Sequence, residues 1–516
     1  MLPASQPVPD LTDVRNALRA GRMDAVDLLA DLGERTTRFD PAVGSFLERF
    51  ELSAGVAARE HERARRAGEH LPPLSGIPIG IKALLSTREA PASAQSLVVD
   101  PTRLVGDDAT AVARLRGSGA VIVGHNTMVE YALGRPDPAK PFPVPRNPWD
   151  LERWPGGSSS GTANGLAAGF FLGGLGTDTT GSIRLPAAMC GLTGLKPSFG
   201  LVPVDGCLPA SASLDVVGPL TRSARDARLL MNALVPGFGV QVADPRRIGI
   251  AEELLSPQRG VSPAVTAAVQ SALAVLETEG YAVEPLALPE FDELVGLTMC
   301  LALAETFAVH RDRLREHWGD YGRSFRRVVT MGAALSPQVV AGARVRLAEL
   351  RARVTARLSG FTAIATPTWP TGAAPYAAAG GVPVQETNFT AAWNALGFSS
   401  LALPAGFDDD GMPVGLLLSA PAGSDSALLT AGEALQAADD THLRAPVLEE
   451  TAVRVPFPVP DLDPGDAPAR RAPTAQPEWL AALQLDLDPH ELEVIGGMGS
   501  ALIDAFTVGV PPTASR

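Results

Sequence analysis

Cysteine and lysine are both scarce in this sequence. Three cysteines, Cys190, Cys207 and Cys300, stand among 516 residues, with no CxxC spacing and no Cys/His cluster. This removes a disulfide framework and a zinc site, and leaves free thiols of the kind buried in a reducing compartment. Of the 43 basic residues, three are lysine (Lys82, Lys140 and Lys196) and the rest arginine. Arginine keeps its proton in proteins, whereas a buried lysine can release it. A lysine base must therefore be one of three. Long apolar runs are also missing. The longest, about Gly165–Gly176, is broken by glycines and is shorter than the ~20 residues a bilayer span needs. The first residues lack a basic segment followed by an apolar one, so no signal peptide is expected. The expectation is a cytoplasmic protein with no membrane partner. A net charge of −14 repels nucleic-acid phosphates and excludes nucleic acid as the expected partner.

What is present reads as a large folded chain. Hydrophobic residues make up 46%, enough for a core that needs no metal or disulfide. Helical spacing marks residues 11–70, and Ile77–Lys82 reads as a short apolar strand after a turn. A helix at Ala111–Arg116 and a strand at Ala120–Gly124 follow. This helix–strand rhythm points to α/β architecture. Residues 143–161 are rich in Pro, Gly and Ser and read as a long loop, followed by a helix from Thr162. Helices are expected at about 222–235, 262–280, 296–316, 336–358 and 426–437, with strands near Ile248, Ala363–Ala365, Ser400–Leu403 and Val414–Leu418. From about 446 the texture changes. Residues 454–477 read as a Pro- and Asp-rich linker, and 478–508 as one or two short helices.

Two glycine-flanked loops carry serines: Gly156-Gly157-Ser158-Ser159-Ser160-Gly161 and Asp178-Thr179-Thr180-Gly181-Ser182. Glycine lets several backbone N–H groups aim at one point, as an oxyanion hole requires. A serine nucleophile also needs a base. None of the seven histidines sits in a glycine-bounded motif, and His61 and His70 stand in charged or Pro-rich, surface-like contexts. Gly157–Gly161 matches the GxSxG elbow of α/β-hydrolases, but that elbow follows a strand, and Leu151–Gly156 offers none. Lys82 is the better base, because it ends an apolar run where burial lowers an amine pKa toward neutrality. A buried ion-paired or solvent-facing lysine is the plainer reading. Lys196 is a rival whose following proline suggests a structural turn, and Lys140 lies in a Pro-rich loop.

These stretches resemble the amidase signature family. Arg153–Thr162 and Leu175–Gly200 are similar to its signature almost end to end, and Pro73–Lys82 to its lysine strand. Leu214–Arg222 and Gly411–Leu416 resemble its later landmarks, so the likeness covers about residues 10–440. The resemblance implies a large central mixed β-sheet covered by helices on both faces. It also implies a Ser–cisSer–Lys triad whose serines are 24 positions apart, the spacing of Ser158 and Ser182. By resemblance Ser182 is the nucleophile, Ser158 the relay after a cis Gly157–Ser158 bond, and Lys82 the base. Backbone N–H groups of Thr179, Thr180, Gly181 and Ser182 are expected to hold the oxyanion, with Gly157, Asp178 and Arg184 supporting the loops. No cofactor or metal is implied. The partner is a small-molecule amide, and a homodimer stays open. Ala83 stands where the family often has Asp, and Thr180 where Gly is common, while Ser160 and Thr162 vary the first loop.

The family includes simple amidases, allophanate and biuret-type hydrolases, fatty-amide hydrolases and the A-type component of the glutamine-dependent tRNA amidotransferase. The stretch from Ala304 to Arg327 resembles stand-alone amidases more than that component. Phe307, Tyr321, Phe325, Trp369 and Trp393 are candidates to line a pocket, with core packing the first expectation for each. The division expected is a catalytic domain over 1–445 and a Pro-rich extension over 446–516.

Overall fold

The structure, a computed structural model, describes residues 9–99, 106–239, 244–376, 388–449, 477–485, 487 and 489–507. Eleven strands form one sheet: β1 (Phe46–Arg49), β2 (Pro78–Lys82), β3 (Val121–Asn126), β4 (Gly173–Asp178), β5 (Thr193–Lys196), β6 (Val216–Thr221), β7 (Arg247–Ile250), β8 (Ala282–Pro285), β9 (Ala363–Pro367), β10 (Ser399–Phe407) and β11 (Pro413–Ala420). Their order across the sheet is β1-β3-β2-β4-β6-β5-β10-β11-β9-β7-β8. β2 runs parallel to β3 and β4, and β7 to β8 and β9, while the remaining pairs are antiparallel. The sheet is mixed, as the resemblance implied.

Successive strand residues point to opposite faces. Every residue of β2, β4, β6 and β11 is buried, so both faces of the central sheet are covered. This explains the apolar runs that marked β2 and β11 in the sequence. Edge strand β8 is partly exposed throughout and carries no such signature. The helix Ser160–Ala167 packs against β2 and β4. β4 admits it because of its glycines: a Cβ on Gly174 would stand 2.3 Å from Thr162 Cγ2.

Most expected helices appear with boundaries shifted by a few residues: Ala224–Leu234, Pro263–Thr278, Phe291–His317, Pro337–Arg357 and Asp425–Ala438. Two expectations are corrected. Lys196 is the fully buried last residue of β5, not part of a turn, because β5 pairs on both sides, with β6 and β10. His61 is buried, its Nδ1 2.8 Å from Ser75 Oγ, because the Gly76 turn packs its backbone against the imidazole. The 27-residue helix Phe291–His317 is long and apolar enough to cross a membrane, and half of its apolar window is buried within the fold, as in a core helix.

The stretch 454–476 lies outside the described residues. Beyond it, helices Glu478–Ala481 and Pro489–Thr507 pack back against the segment Arg323–Ala334. Glu491 is buried and accepts from Trp318 Nε1 at 3.0 Å and from Arg326 Nη2 at 2.5 Å. Arg315 Nε also donates to Leu483 O at 2.7 Å. A buried carboxylate with such partners is costly to remove, since its guanidinium loses its counter-charge. Glu491→Ala is expected to raise hydrogen exchange in residues 489–507 by at least about tenfold while the central strands stay protected. Unchanged protection in that helix would show that Glu491 does not hold it.

Candidate active site

Three sheet neighbours build the site. β2 and β4 lie side by side and parallel, so Lys82 at the end of one faces Thr177 near the end of the other. The carboxyl ends of parallel strands are where open α/β sheets leave a crevice. Lys82 Nζ lies 2.8 Å from Ser158 Oγ, 2.7 Å from Thr177 Oγ1 and 3.4 Å from Thr177 O. The lysine is fully buried and has no carboxylate within ion-pair distance among the described residues. Burial is the largest influence on it and pulls its pKa down to about 7, against the weaker opposing fields of Cys207, Asp178 and Asp215.

The peptide bond Gly157–Ser158 is cis. No strand precedes it, so the GxSxG match is not a nucleophile elbow. A Cβ on Gly157 would stand 2.9 Å from Val129 Cγ2, and Val129 N donates to Ser158 O at 3.1 Å. Ser159 N donates to Ser182 O at 3.2 Å, tying the two serine loops together. The Ser182 hydroxyl makes no hydrogen bond among the described residues. Thus Lys82 and Ser158 are in contact, and Ser182 lies on the adjoining loop with its hydroxyl unengaged.

Asp178 shapes that loop. Its Oδ1 accepts from Gly181 N (2.8 Å), Arg184 Nη2 (2.8 Å) and Asn394 Nδ2 (2.8 Å), and its Oδ2 from Ile183 N (3.1 Å) and Arg184 Nε (2.9 Å). Burial pushes the Asp178 carboxyl up, but the Arg184 guanidinium, with Lys196 and Asn394, outweighs it and holds the group well below the usual carboxylate range. One expectation changes as a result. The Gly181 N–H is already spent on Asp178, so it is not a free oxyanion donor. The amides of Thr179, Thr180 and Ser182 donate to no described residue. Thr179 also anchors the loop through its hydroxyl, which donates to Asp215 Oδ1 at 2.6 Å.

Four residues of this site carried no signal in the sequence. Thr177 is a second partner of Lys82, visible only once β2 and β4 are known to be parallel neighbours. Asn394, Thr390 and Asn388 come from a short segment more than 200 residues downstream. Thr390 Oγ1 donates to Thr180 O at 2.6 Å, and Arg184 Nη1 donates to Thr390 O at 2.8 Å. A Cβ on Gly181, at φ 135°, would meet Thr390 Oγ1 at 2.0 Å, so this close approach requires glycine. The buried histidines lie elsewhere: His310 bonds Tyr321 and His442 bonds Asp439 O. No group of three or more potential metal-ligating side chains occurs among the described residues. Of the pocket candidates, Trp393 is core, packed against Phe291 and Phe398. Tyr321 and Phe325 pack with Tyr131 in a cluster that includes Ala83 and Leu84, beside Lys82, with Phe307 at its margin. Trp369 joins Trp149 and Trp154 against Met189 and Met412.

The amidase family profile matches residues 27–429. The chain belongs to this family. It is 34% identical over 481 residues to the A-type component of the glutamyl-tRNA(Gln) amidotransferase of Roseiflexus sp. strain RS-1, covering 85% of this chain and 98% of that protein. Among solved structures, an amidase superposes with a TM-score of 0.77 at 30% identity, covering 83% of this chain and 99% of that one. The native peptide amidase of Stenotrophomonas maltophilia gives a TM-score of 0.74 at 28% identity, over 87% and 99%. As in other amidase-family chains, the central sheet here is mixed and helix-covered.

Replacing Asp178 by Asn keeps its size but leaves Arg184 buried without a counter-charge. Breaking a buried pair on one side costs about 3–5 kcal/mol, so Asp178→Asn is expected to lower the apparent melting temperature markedly. An unchanged melting temperature would mean that the pair does not hold the loop.

Proposed function

We propose that this protein hydrolyses a carboxamide C–N bond to an acid and ammonia or an amine, through an acyl-enzyme on Ser182. The observation that supports this most is the buried contact of Lys82 with Ser158, with an amine pKa near 7. A neutral amine has two N–H bonds and one lone pair. The two N–H bonds suit Thr177 Oγ1 and Thr177 O, which leaves the lone pair for the Ser158 proton.

In this mechanism Ser158 passes its proton to Lys82 Nζ and takes one from Ser182 Oγ. Ser182 Oγ then attacks the amide carbon. The oxyanion is met by backbone N–H groups, for which Thr179, Thr180 and Ser182 have unclaimed amides. Removing one such donor typically costs ~10²–10³ in rate. The C–N bond breaks as Ser158 returns a proton to the leaving nitrogen. Water, deprotonated along the same relay, then cleaves the ester and frees the acid. The Ser158–Ser182 hydrogen bond closes when substrate binds, since catalytic hydrogen bonds often tighten only in the complex. Residues 1–445 act as the catalytic unit, with 446–516 as an appended segment.

A second reading is an A-type amidotransferase component that hydrolyses glutamine and hands ammonia to a partner. The 34% identity to such a component favours it. An ammonia-release panel of glutamine, aliphatic, aryl and ureido amides separates the two.

Ser182→Ala and Lys82→Ala are each expected to lower kcat by at least about 10⁴-fold, because groups acting as one relay fail together. Full activity of either variant would refute the assignment. The pH profile follows from Lys82. Below about pH 7 the amine holds a proton and cannot accept one, so kcat/KM should fall as pH drops through that point and level off above it. A rate independent of pH across that range would exclude Lys82 as the base.

A further inference from the structure

Beside the Ser158 loop stands a half-buried cation with no carboxylate against it among the described residues. Arg135 follows the segment whose Val129 N–H bonds Ser158 O, and its own backbone N–H donates to Ser324 Oγ at 3.0 Å. Its guanidinium carbon lies 4.9 Å from the centre of the Trp154 ring. That indole in turn packs on Gly157, where a Cβ would stand 3.2 Å from Trp154 Cζ2. Both side chains therefore belong to the wall next to the cis peptide bond.

Their polar atoms are not satisfied. Arg135 Nη1 and Trp154 Nε1 are each buried without a hydrogen-bond partner. Among the described residues, no carboxylate or carbonyl accepts from the Arg135 guanidinium. Arg184, which is fully buried, holds a carboxylate, a carbonyl and an amide oxygen. A buried donor left unmade costs about 1–3 kcal/mol, and more when charged. A ligand that accepts from both donors would remove that cost. Burial also draws the Arg135 pKa down, with the Tyr376 phenol as its one opposing neighbour.

We propose that Arg135 and Trp154 form a subsite for a carboxylate, so that the preferred substrate is an amide whose acid portion carries a second, ionised carboxyl group. A carboxylate has two oxygens, one for the guanidinium Nη1–H and one for the indole N–H. Arginine suits it because its planar fork matches a carboxylate and it is weakly hydrated. The proposal rests on the amide-hydrolase reading for its substrate, but the subsite can be tested without turnover.

The test uses full-length protein carrying Ser182→Ala, with and without Arg135→Gln, titrated calorimetrically with succinate and with neutral succinamide. Losing a charged hydrogen bond is expected to weaken succinate binding by about 10- to 100-fold. Succinamide binding should change by less than about threefold, within the usual span of a surface substitution. In the protein with Ser182 intact, Arg135→Gln should raise KM for succinamic acid by the same factor and leave kcat nearly unchanged. Succinate binding that is absent, or equal in both proteins, overturns the subsite. Equal losses for succinate and succinamide also overturn it, by showing that Arg135 only packs the wall. Arg135-dependent succinate binding with no turnover of any amide would sustain the subsite and overturn the hydrolase reading.

Discussion

Asp178 lies out of reach of water, and its two oxygens take five N–H donors from Gly181, Ile183, Arg184 and Asn394. An isolated carboxylate in that place would not stay ionised. It does so here because a fully buried guanidinium is held against it in a two-pronged contact. The bonds to Gly181 and Ile183 fold the chain back on itself around Ser182, which presents the hydroxyl at the head of the helix Arg184–Met189. The bond to Asn394 fastens the same loop to a distant segment. The position of the serine is thus set by charge pairing beneath it, not by flexibility in the glycines around it.

Two buried lysines bracket this pair, and they show how a shared surrounding yields different roles. Lys82 and Lys196 are both fully buried, and burial pulls each down to about 7. Arg184 pushes Lys196 further down, while Asp178 draws both amines up. Lys82 meets two hydroxyls and a carbonyl. Lys196 meets only the carbonyl of Pro197. The same desolvated amine faces a serine hydroxyl in one place and a lone backbone carbonyl in the other.

The serine loops, the lysine and the parallel strand between them were legible in the sequence because their signals are local. Glycines bracket Ser158 and Ser182, and an apolar run ends at Lys82. Strands β2, β9 and β11 announced themselves because every residue in them is buried. Edge strand β8 did not, because half-exposed residues leave no pattern. Thr177 was hidden because an ordinary strand threonine gains its role from register with a neighbour. Asn394 and Thr390 were hidden because their contacts span more than 200 residues. The role of Gly181 as an oxyanion donor was misjudged for a related reason: a backbone N–H looks free in a sequence until the carboxylate that claims it is located. Lys196 misled because the proline after it reads as a turn, whereas here it follows the final residue of a doubly paired strand.

The docking of Glu491 on Arg326 joins residues 165 positions apart. By the time Glu491 is synthesised, all eleven strands have already been made, the last of them ending at Ala420. The helix Arg323–Thr330, which carries Phe325 into the cluster beside Lys82, therefore acquires its counter-charge only after the sheet can close. A polypeptide lacking Pro489–Thr507 would keep every described strand and still leave Arg326, next to that cluster, without its carboxylate.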